Sequence, residues 1–190
     1  MNRMQYAGTD GRMMAAGVVG TCTNCRLHQT RRTIVYGRGE MPAHLLFIGE
    51  GPGASEDASG IAFYGKSGKL LDRMVDDASR LAHIGARHVR TFITNVVLCH
   101  PTDEVGGSNR QPRADEALAC MPNVMRLHNV VQPRVTILVG QVAVKYYGKR
   151  FNPVASMVHP AALLRQGGTA APAYLTNVRN LSLIIKGVMQ

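Results

Sequence analysis

The chain has 190 residues, enough for one domain spanning residues 1–190 to bury its own core, and 45% of them are hydrophobic. Lys and Arg number 22 against 12 Asp and Glu, and this net charge of +10 favours nucleic acid as the partner. No apolar run approaches the length of a membrane span, so no membrane partner is expected. Residues 1–20 lack the apolar stretch of a signal peptide, and we expect them to form a flexible or loosely packed arm.

Strand and helix patterns alternate along the chain. Short apolar runs predict strands at residues 44–48, 91–97 and 134–139, with a weaker one at residues 154–158. The helical pattern covers residues 67–80, 113–130, 141–147 and 174–186, the second of these broken near Pro122. We therefore predict a three-layer α/β/α fold with a central, mostly parallel four-stranded sheet. Ligands of such sheets bind beyond the carboxyl ends of the strands, at the loops that begin at Gly49, Asn95 and His159.

The chain has four cysteines. Cys22 and Cys25 form a Cys-x-x-Cys pair, and Cys99 and Cys120 follow at a distance. We expect a reducing, cytoplasmic location, where such a set favours a metal or cluster over disulfides. From the spacing alone, zinc in a four-cysteine site and an iron–sulfur cluster are both open.

Residues 60–67 match the phosphate-loop pattern G-x-x-x-x-G-K-[ST] in every letter. However, Gly60 does not follow a strand directly, and Phe63 and Tyr64 are bulky where the backbone would have to wrap a phosphate. We interpret the match as a coincidence. A nucleotide hydrolase that depends on Lys66 is therefore the least favoured alternative.

Several motifs, taken in chain order, resemble those of the family 4 uracil-DNA glycosylases. They are G-E-G-P-G at 49–53, G-x-x-F-x-G-x-x-G-x-L-L at 60–71, T-N-V-V-x-C at 94–99, N-R-x-P-x-x-x-E at 109–116, C-x-P at 120–122 and H-P-x-x-L-L-R at 159–165. The resemblance covers residues 22–165 and implies a DNA repair enzyme that hydrolyses the N-glycosidic bond of uracil, leaving an abasic site. It also implies that the four cysteines, Cys22, Cys25, Cys99 and Cys120, hold a [4Fe–4S] cluster.

The chemistry of base removal suggests roles for individual residues. The base must be flipped into a pocket, where Phe63 can provide an aromatic floor and the Asn95 amide a donor and an acceptor for uracil. His159 can donate a hydrogen bond to the uracil oxygen that gains charge, typically worth about 3 kcal/mol. The resemblance points to Glu50 and Glu56 as carboxylates that orient water or stabilise the sugar cation, the alternative role being to tie loop backbone. The candidate catalytic residues are Glu50, Glu56, Asn95 and His159, and the candidate uracil contacts are Gly51, Phe63, Asn95 and His159.

Further residues are candidates for binding DNA in single- or double-stranded form. Leu163 and Leu164 can fill the gap left by the flipped base, although the core face of a short helix explains them equally well. Arg165, Lys66 and Arg110 are candidate phosphate contacts. No lysine is clearly placed for Schiff-base chemistry, so we expect a monofunctional, monomeric enzyme associated with the nucleoid.

The chain departs from the family pattern at several positions. Ala62 and Tyr64 flank Phe63 where Pro and Val are usual, Leu98 replaces a lysine, and Ala161 replaces a serine. Residues 103–108 form an extra, Gly-rich segment without the histidine that a related branch uses to trap uracil covalently, so no such trapping is expected. The first alternative is therefore a non-catalytic, cluster-bearing DNA-binding protein of the same fold.

Overall fold

A computed structural model describes residues 21–85 and 87–190, so the arm predicted for residues 1–20 lies outside the described residues. The strands are β1 (Arg38–Gly39), β2 (Leu45–Gly49), β3 (Thr91–Asn95), β4 (Val135–Val139) and β5 (Val154–Met157). The α-helices are α1 (Ala54–Ser59), α2 (Lys66–Leu81), α3 (Ala114–Val131), α4 (Gln141–Tyr147), α5 (Pro160–Arg165) and α6 (Pro172–Val188). Short 3₁₀ helices cover Arg26–Gln29 and Gly168–Ala170.

The strands form one sheet in the order β1-β3-β2-β4-β5. Strands β2 to β5 are parallel, and β1 runs antiparallel to β3, with Arg38 opposite Ile93. The predicted three-layer, mostly parallel fold is confirmed, but the prediction of four strands is wrong because the described residues contain five. The missed strand, β1, has only two residues, too few to show an alternating pattern.

Helices cover both faces of the sheet, so the central strands are buried on both sides. Along β2, Phe47 packs into one core with α2 and α6, whereas Leu46 and Ile48 pack into a second core with α3 and α4. This alternation follows from the two-residue repeat of a strand. A strand with two buried faces has a continuous apolar sequence, which is why the predictions for β2, β3 and β4 were close to the observed bounds.

Most helix predictions agree with the structure to within two residues, and α4 matches fully. The predicted break near Pro122 does not occur, since α3 continues from Ala114 to Val131. Ala117 and Val124, on either side of the proline, are both fully buried in the second core. Their packing offsets the cost of an internal proline, about 3 kcal/mol. None of the helices in residues 21–85 and 87–190 has the length and apolarity that crossing a membrane requires.

Candidate functional site

The loops at the carboxyl ends of β2, β3 and β5 surround a cleft of about 500 Å³. Its lining includes the six residues that the sequence predicts to act on uracil: Glu50, Gly51, Glu56, Phe63, Asn95 and His159. These residues come from loops far apart in the chain. The parallel arrangement brings them together because the strands that carry them end at the same edge of the sheet.

Asn95 is the last residue of β3 and is only 1% exposed. Neither its Nδ2 nor its Oδ1 has a hydrogen-bond partner among residues 21–85 and 87–190. A buried polar group without a partner costs about 1–3 kcal/mol, and buried amides are seldom left so in proteins. An amide that lines a cleft and lacks partners has a donor and an acceptor free for a ligand.

Two glycines allow the walls of the cleft to approach each other. A Cβ atom at Gly49 would lie 2.5 Å from Cζ of Phe63 and 2.6 Å from Oδ1 of Asn95. A Cβ atom at Gly51 would lie 2.9 Å from Cγ of Pro101. At contacts shorter than 3.0 Å a neighbouring atom must move, so a side chain at either position would displace a wall of the cleft.

Phe63 provides one wall of the cleft. Its ring stacks on that of His159 with the centroids 5.8 Å apart and the planes inclined by 29°. Its φ of 53° is left-handed, a conformation that costs of order 1–3 kcal/mol outside glycine and requires support from the surroundings. Two contacts supply this support: Arg38 Nε donates to the Ala62 carbonyl at 2.8 Å, and Gly68 packs directly against the Phe63 carbonyl.

His159 is the N-cap residue of α5, and its ring is held by the backbone of the first turn of that helix. Its Nδ1 accepts a hydrogen bond from the Ala161 N–H at 3.1 Å, so the proton of the neutral ring is on Nε2. Burial, with a smaller contribution from the Arg165 cation, lowers the pKa of His159 to about 4. At neutral pH the ring is therefore an uncharged hydrogen-bond donor through Nε2.

The two carboxylates of the cleft have different surroundings. Glu56 accepts hydrogen bonds from the N–H groups of Gly53 and Gly65, each at 3.1 Å, and so ties the loop after β2 to the loop that carries Phe63. Glu50 forms no side-chain hydrogen bond or ion pair with any described residue, and burial raises its pKa above the usual 4.5. Glu50 is thus the carboxylate left free to act on a ligand.

Arg110 lies at the edge of the cleft but is committed to protein partners. Its guanidinium pairs with both carboxylate oxygens of Glu116, which is fully buried, at 2.7 and 2.9 Å. The remaining N–H groups donate to Asp103 and to the carbonyl oxygens of Thr102 and Gln111, which uses all five donors of the side chain. These contacts make Arg110 an internal clamp at the edge of the cleft, and its contact with DNA stays a prediction.

The other predicted DNA contacts fall into two groups. Leu163 is fully buried in the core between the sheet and α2 and α6, which agrees with the core-face alternative left open by the sequence. Leu164 is 37% exposed, and Arg165 lines the cleft. Lys66, the first residue of α2, is exposed beside the cleft residue Ser67. Because neighbouring positions of a helix point in different directions, Leu163 and Leu164 cannot both be inserted into DNA.

The surroundings of Lys66 do not form a phosphate loop. Strand β2 leads into α1, and Gly60 only ends that helix, in a left-handed conformation with φ of 72°. The following turn carries the largely buried Phe63, and its Gly65 N–H already donates to the Glu56 carboxylate. This geometry supports the interpretation of the motif match as a coincidence.

All four cysteines line a second, small pocket on the other side of the sheet, and none of them forms a disulfide. Cys99 and Cys120 are buried, whereas Cys22 and Cys25 are half-buried. Three N–H groups point at their sulfurs, with distances of 3.4–3.5 Å: those of Leu98, Arg31 and Asn123. Hydrogen bonds of this kind stabilise thiolates that bind a metal or cluster.

The chemistry of this pocket fits a group bound by four thiolates. Burial raises the pKa of Cys99 to about 11 and that of Cys120 to about 12, so these thiols stay protonated unless a cation displaces the proton. A set of sulfur ligands alone suits zinc or iron–sulfur. No three of the His, Cys, Asp and Glu side chains in the described part of the chain are already spaced to hold a single metal ion.

One cleft residue that the sequence gave no separate role is Asn109. Its Oδ1 accepts hydrogen bonds from the Ala54 N–H at 3.2 Å and from Nε2 of the buried His100 at 2.7 Å. The position lies in the N-R-x-P motif, which was the only signal available. Ala54 is 55 residues away in the chain and His100 nine, so no local pattern indicates these contacts.

Comparison with known proteins shows the family to which the chain is similar. A family model described as the uracil DNA glycosylase superfamily matches residues 36–181. The chain is 36% identical over 139 residues to a type-4 uracil-DNA glycosylase of Saccharolobus solfataricus, covering 73% of this chain and 60% of the relative. It is 37% identical over 128 residues to that of Pyrobaculum aerophilum, covering 67% and 60%.

With the type-4 uracil-DNA glycosylase of Thermotoga maritima the identity is 32% over 164 residues, or 77% of this chain and 80% of the relative. The chain thus spans about 60% of the length of the two archaeal relatives and most of the bacterial one. The matched region contains the cleft residues from Glu50 to Arg165. The chain therefore belongs to the uracil DNA glycosylase superfamily and, within it, to the type-4 uracil-DNA glycosylases.

Proposed function

We propose that this protein is a monofunctional DNA repair glycosylase that hydrolyses the N-glycosidic bond of uracil in DNA and leaves an abasic site. The observation that carries the proposal is the Asn95 amide, buried in the cleft without a partner in the described part of the chain. Uracil presents N3–H and O4 side by side, the complement of an amide oxygen and an amide NH₂. The names of the relatives support the same substrate.

Binding of the flipped base follows from three cleft residues. The uracil ring lies on Phe63, its N3–H donates to Oδ1 of Asn95, and its O4 accepts from Nδ2. Cytosine has an acceptor at N3 and a donor at the 4-position. With the amide in the same orientation, its oxygen would face the acceptor and its NH₂ would face the donor, so neither hydrogen bond could form. Since a site built to hydrogen-bond one ligand rejects an analogue that leaves its groups unpaired, Asn95 selects uracil.

Bond cleavage develops negative charge on the base and positive charge on the sugar. The electron pair of the C1′–N1 bond moves to uracil, where the Nε2–H of His159 donates to O2. The free carboxylate of Glu50 stabilises the sugar cation and accepts a proton from the water that adds its hydroxyl to C1′. That proton then neutralises the uracil anion. We assign Glu56 a supporting role, because both of its oxygens already accept loop N–H groups.

DNA lies across the mouth of the cleft in this proposal. The net charge of +10 attracts the phosphate backbone, and the exposed cations Arg165, in the cleft lining, and Lys66, beside Ser67, contact it. Leu164 fills the space that the flipped base leaves. We propose that the protein acts on single- or double-stranded DNA as a monomer, in the cytoplasm and associated with the nucleoid.

We further propose that Cys22, Cys25, Cys99 and Cys120 hold a [4Fe–4S] cluster, as the type-4 family implies. When bound, the cluster cross-links the segment before β1 to the loop after β3 and to α3, and performs no step on the base. Zinc is the rival occupant. A brown protein with broad visible absorbance, lost in Cys120→Ser, supports the cluster, whereas a colourless protein containing zinc contradicts it.

The test of the glycosylase is release of uracil from an end-labelled oligonucleotide with one dU, single- or double-stranded, followed by alkali. We expect strand breaks with dU and none with dT, and a loss of about 10²–10³-fold in His159→Ala, as for removal of one donor to a developing anion. Asn95→Ala should lose activity as well. If the folded wild-type protein binds DNA but produces no breaks, the glycosylase proposal fails and the non-catalytic DNA-binding alternative is supported.

A further inference from the structure

Strand β5 lies at the edge of the sheet and leads directly to His159. Its pairing with β4 ends at Met157, which lies opposite Val139 and whose carbonyl accepts from the Gly140 N–H at 2.9 Å. The next residue, Val158, leaves the sheet, and no further strand is present in the described residues to pair with its peptide groups. An unpaired backbone at this point would leave His159 free to turn with the chain.

Asn177, on α6, supplies the missing partner. Its Oδ1 accepts a hydrogen bond from the Val158 N–H at 3.2 Å, and its Nδ2 donates to the Val158 carbonyl at 3.1 Å. One amide thus satisfies both peptide groups of Val158, as a neighbouring strand would. Asn177 is 6% exposed, so its amide is mostly shielded from water although Val158 itself lies at the surface.

These two bonds complete the restraint of His159. On its far side, the His159 carbonyl accepts from the N–H groups of Ala162 and Leu163, at 2.9 and 3.3 Å, as α5 begins. The ring is fixed through Nδ1 by the Ala161 N–H. On its near side, the position of the preceding peptide depends on Asn177.

Asn177 also connects the two sides of the cleft. Its Nδ2 lies 3.9 Å from the sulfur of Met74, a fully buried residue of α2, the helix that follows the Phe63 loop. The amide is therefore placed between the helix behind Phe63 and the strand that leads to His159. The rings of Phe63 and His159 stack on each other at the cleft, so a shift on either side would change their spacing.

We propose that Asn177 is a positioning residue for catalysis, holding the Nε2–H of His159 where the leaving uracil needs it. The inference rests on the proposed function, because that function defines what His159 must reach. Asn177 lies beyond residues 22–165, which carry the motif resemblance, and it touches no substrate itself. It acts through the Val158 peptide.

The test replaces Asn177 by Leu, which is similar in size and removes both hydrogen bonds, and by Asp, which keeps an acceptor for the Val158 N–H. Ser182→Ala is the matched control: Ser182 is buried on the same helix, and its hydroxyl donates only to the Arg179 carbonyl. Thermal melting shows whether each variant folds. Should Asn177→Leu fail to fold, Asn177→Asp carries the test.

The first readout separates catalysis from binding. We expect Asn177→Leu to lower the single-turnover rate of uracil release about tenfold to hundredfold, the range for a misplaced reacting group. Affinity for undamaged DNA should stay within about twofold, since no phosphate contact is altered. Asn177→Asp should show a smaller loss, and Ser182→Ala none.

The second readout does not depend on activity. In ¹⁵N-histidine NMR, the wild-type His159 ring should be neutral, protonated on Nε2, with a pKa of about 4. In Asn177→Leu the His159 ring should become more mobile and more exposed to solvent, so its pKa should move towards 6.5. His159→Ala identifies the signal, and Arg165, the charged neighbour that also lowers this pKa, is retained in every variant.

A folded Asn177→Leu protein with an unchanged rate and an unchanged His159 titration overturns the proposal. A reduced rate with an unaltered His159 ring also overturns it, because Asn177 would then act elsewhere. If the wild-type protein releases no uracil, the proposed function fails, while the NMR titration still shows whether Asn177 controls the His159 ring.

Discussion

Gly49 and Asn95 face each other at the carboxyl ends of β2 and β3, and a Cβ atom at residue 49 would lie 2.6 Å from the Asn95 amide oxygen. The same atom would also meet the ring of Phe63. The Asn95 amide and the Phe63 ring therefore both pack directly against the backbone of Gly49. The absence of a side chain there is part of the site.

Gly49→Ala should consequently damage catalysis. The added methyl group must displace the Asn95 amide or the Phe63 ring, and a shift of about 1 Å in such groups costs about a hundredfold in rate. The measurement is single-turnover uracil release. Gly187→Ala, in α6, is the control, because nothing lies within 4 Å of its added Cβ atom. A full rate in Gly49→Ala would show that the cleft is less tightly built than described.

The pH dependence of uracil release should report on Glu50. Burial raises its pKa above 4.5, and the carboxylate is the active form, so the rate should fall as the pH drops through a value above 4.5. His159, with a pKa of about 4, stays neutral over this range. In Glu50→Gln the reaction should be slower and this acid limb should disappear. A limb that persists in the variant would assign it to another group.

The Arg110–Glu116 ion pair should raise the free energy of unfolding. Arg110→Met leaves the carboxylate of Glu116, which is fully buried, without its ion partner, and such a loss costs about 3–5 kcal/mol. The measurement is the free energy of unfolding in urea. Arg113→Met, which removes a side chain 43% exposed, should cost less than about 1 kcal/mol. Equal losses in the two variants would contradict the buried clamp.

The same pair has a defined pH dependence. Burial opposes ionisation of Glu116, but the hydrogen bonds from Arg110 and from the Arg113 N–H outweigh it and lower the pKa below 4.5. A carboxylate with a lowered folded-state pKa stabilises the protein above the unfolded value and loses that contribution as the pH falls through the folded value. The difference in stability between wild type and Arg110→Met should therefore shrink in acid below about pH 4.5. A constant difference would exclude Glu116 as its origin.

Leu163 and Leu164 form a matched pair because they are adjacent and identical in type. Leu163→Ala empties part of the core and should lower the unfolding free energy by about 2–5 kcal/mol. Leu164→Ala should leave the unfolding free energy nearly unchanged. It should lower the rate on duplex DNA more than on single strands, because only in a duplex does the flipped base leave a gap between stacked base pairs that a side chain must fill. An equal effect of Leu164→Ala on both substrates would remove its assignment as the wedge.

The layout of the fold could be predicted from local patterns. Strands β2, β3 and β4 are buried on both faces, so each appears as a short apolar run, and the amphipathic repeat marks α2. Strand β1 was missed because two residues are too few to show the alternating pattern of a strand. The break predicted in α3 was wrong because burial on both sides of Pro122 decides the helix, and that burial depends on the sheet behind it.

Part of the site was also predictable, because functional side chains at strand ends are set by topology. Asn95 ends β3, and His159 follows β5 by two residues, so parallel strands bring them to one edge. For Arg110 and Leu163 the sequence left open which way the side chain faces. A basic or apolar residue beside a cleft can face outwards or inwards, and Glu116, which binds Arg110, is six residues further along the chain.

The sequence by itself therefore determined the longer strands and helices, the sulfur-only ligand set and the identity of the groups at the strand ends, because these depend on neighbours within a few residues. Only the tertiary structure decided which polar groups are satisfied and which are left open. Asn177 pairs with Val158, while Asn95 stays without a partner in the described residues. Both are buried asparagines, and what separates them is the backbone that packing brings within hydrogen-bond distance of one and not of the other.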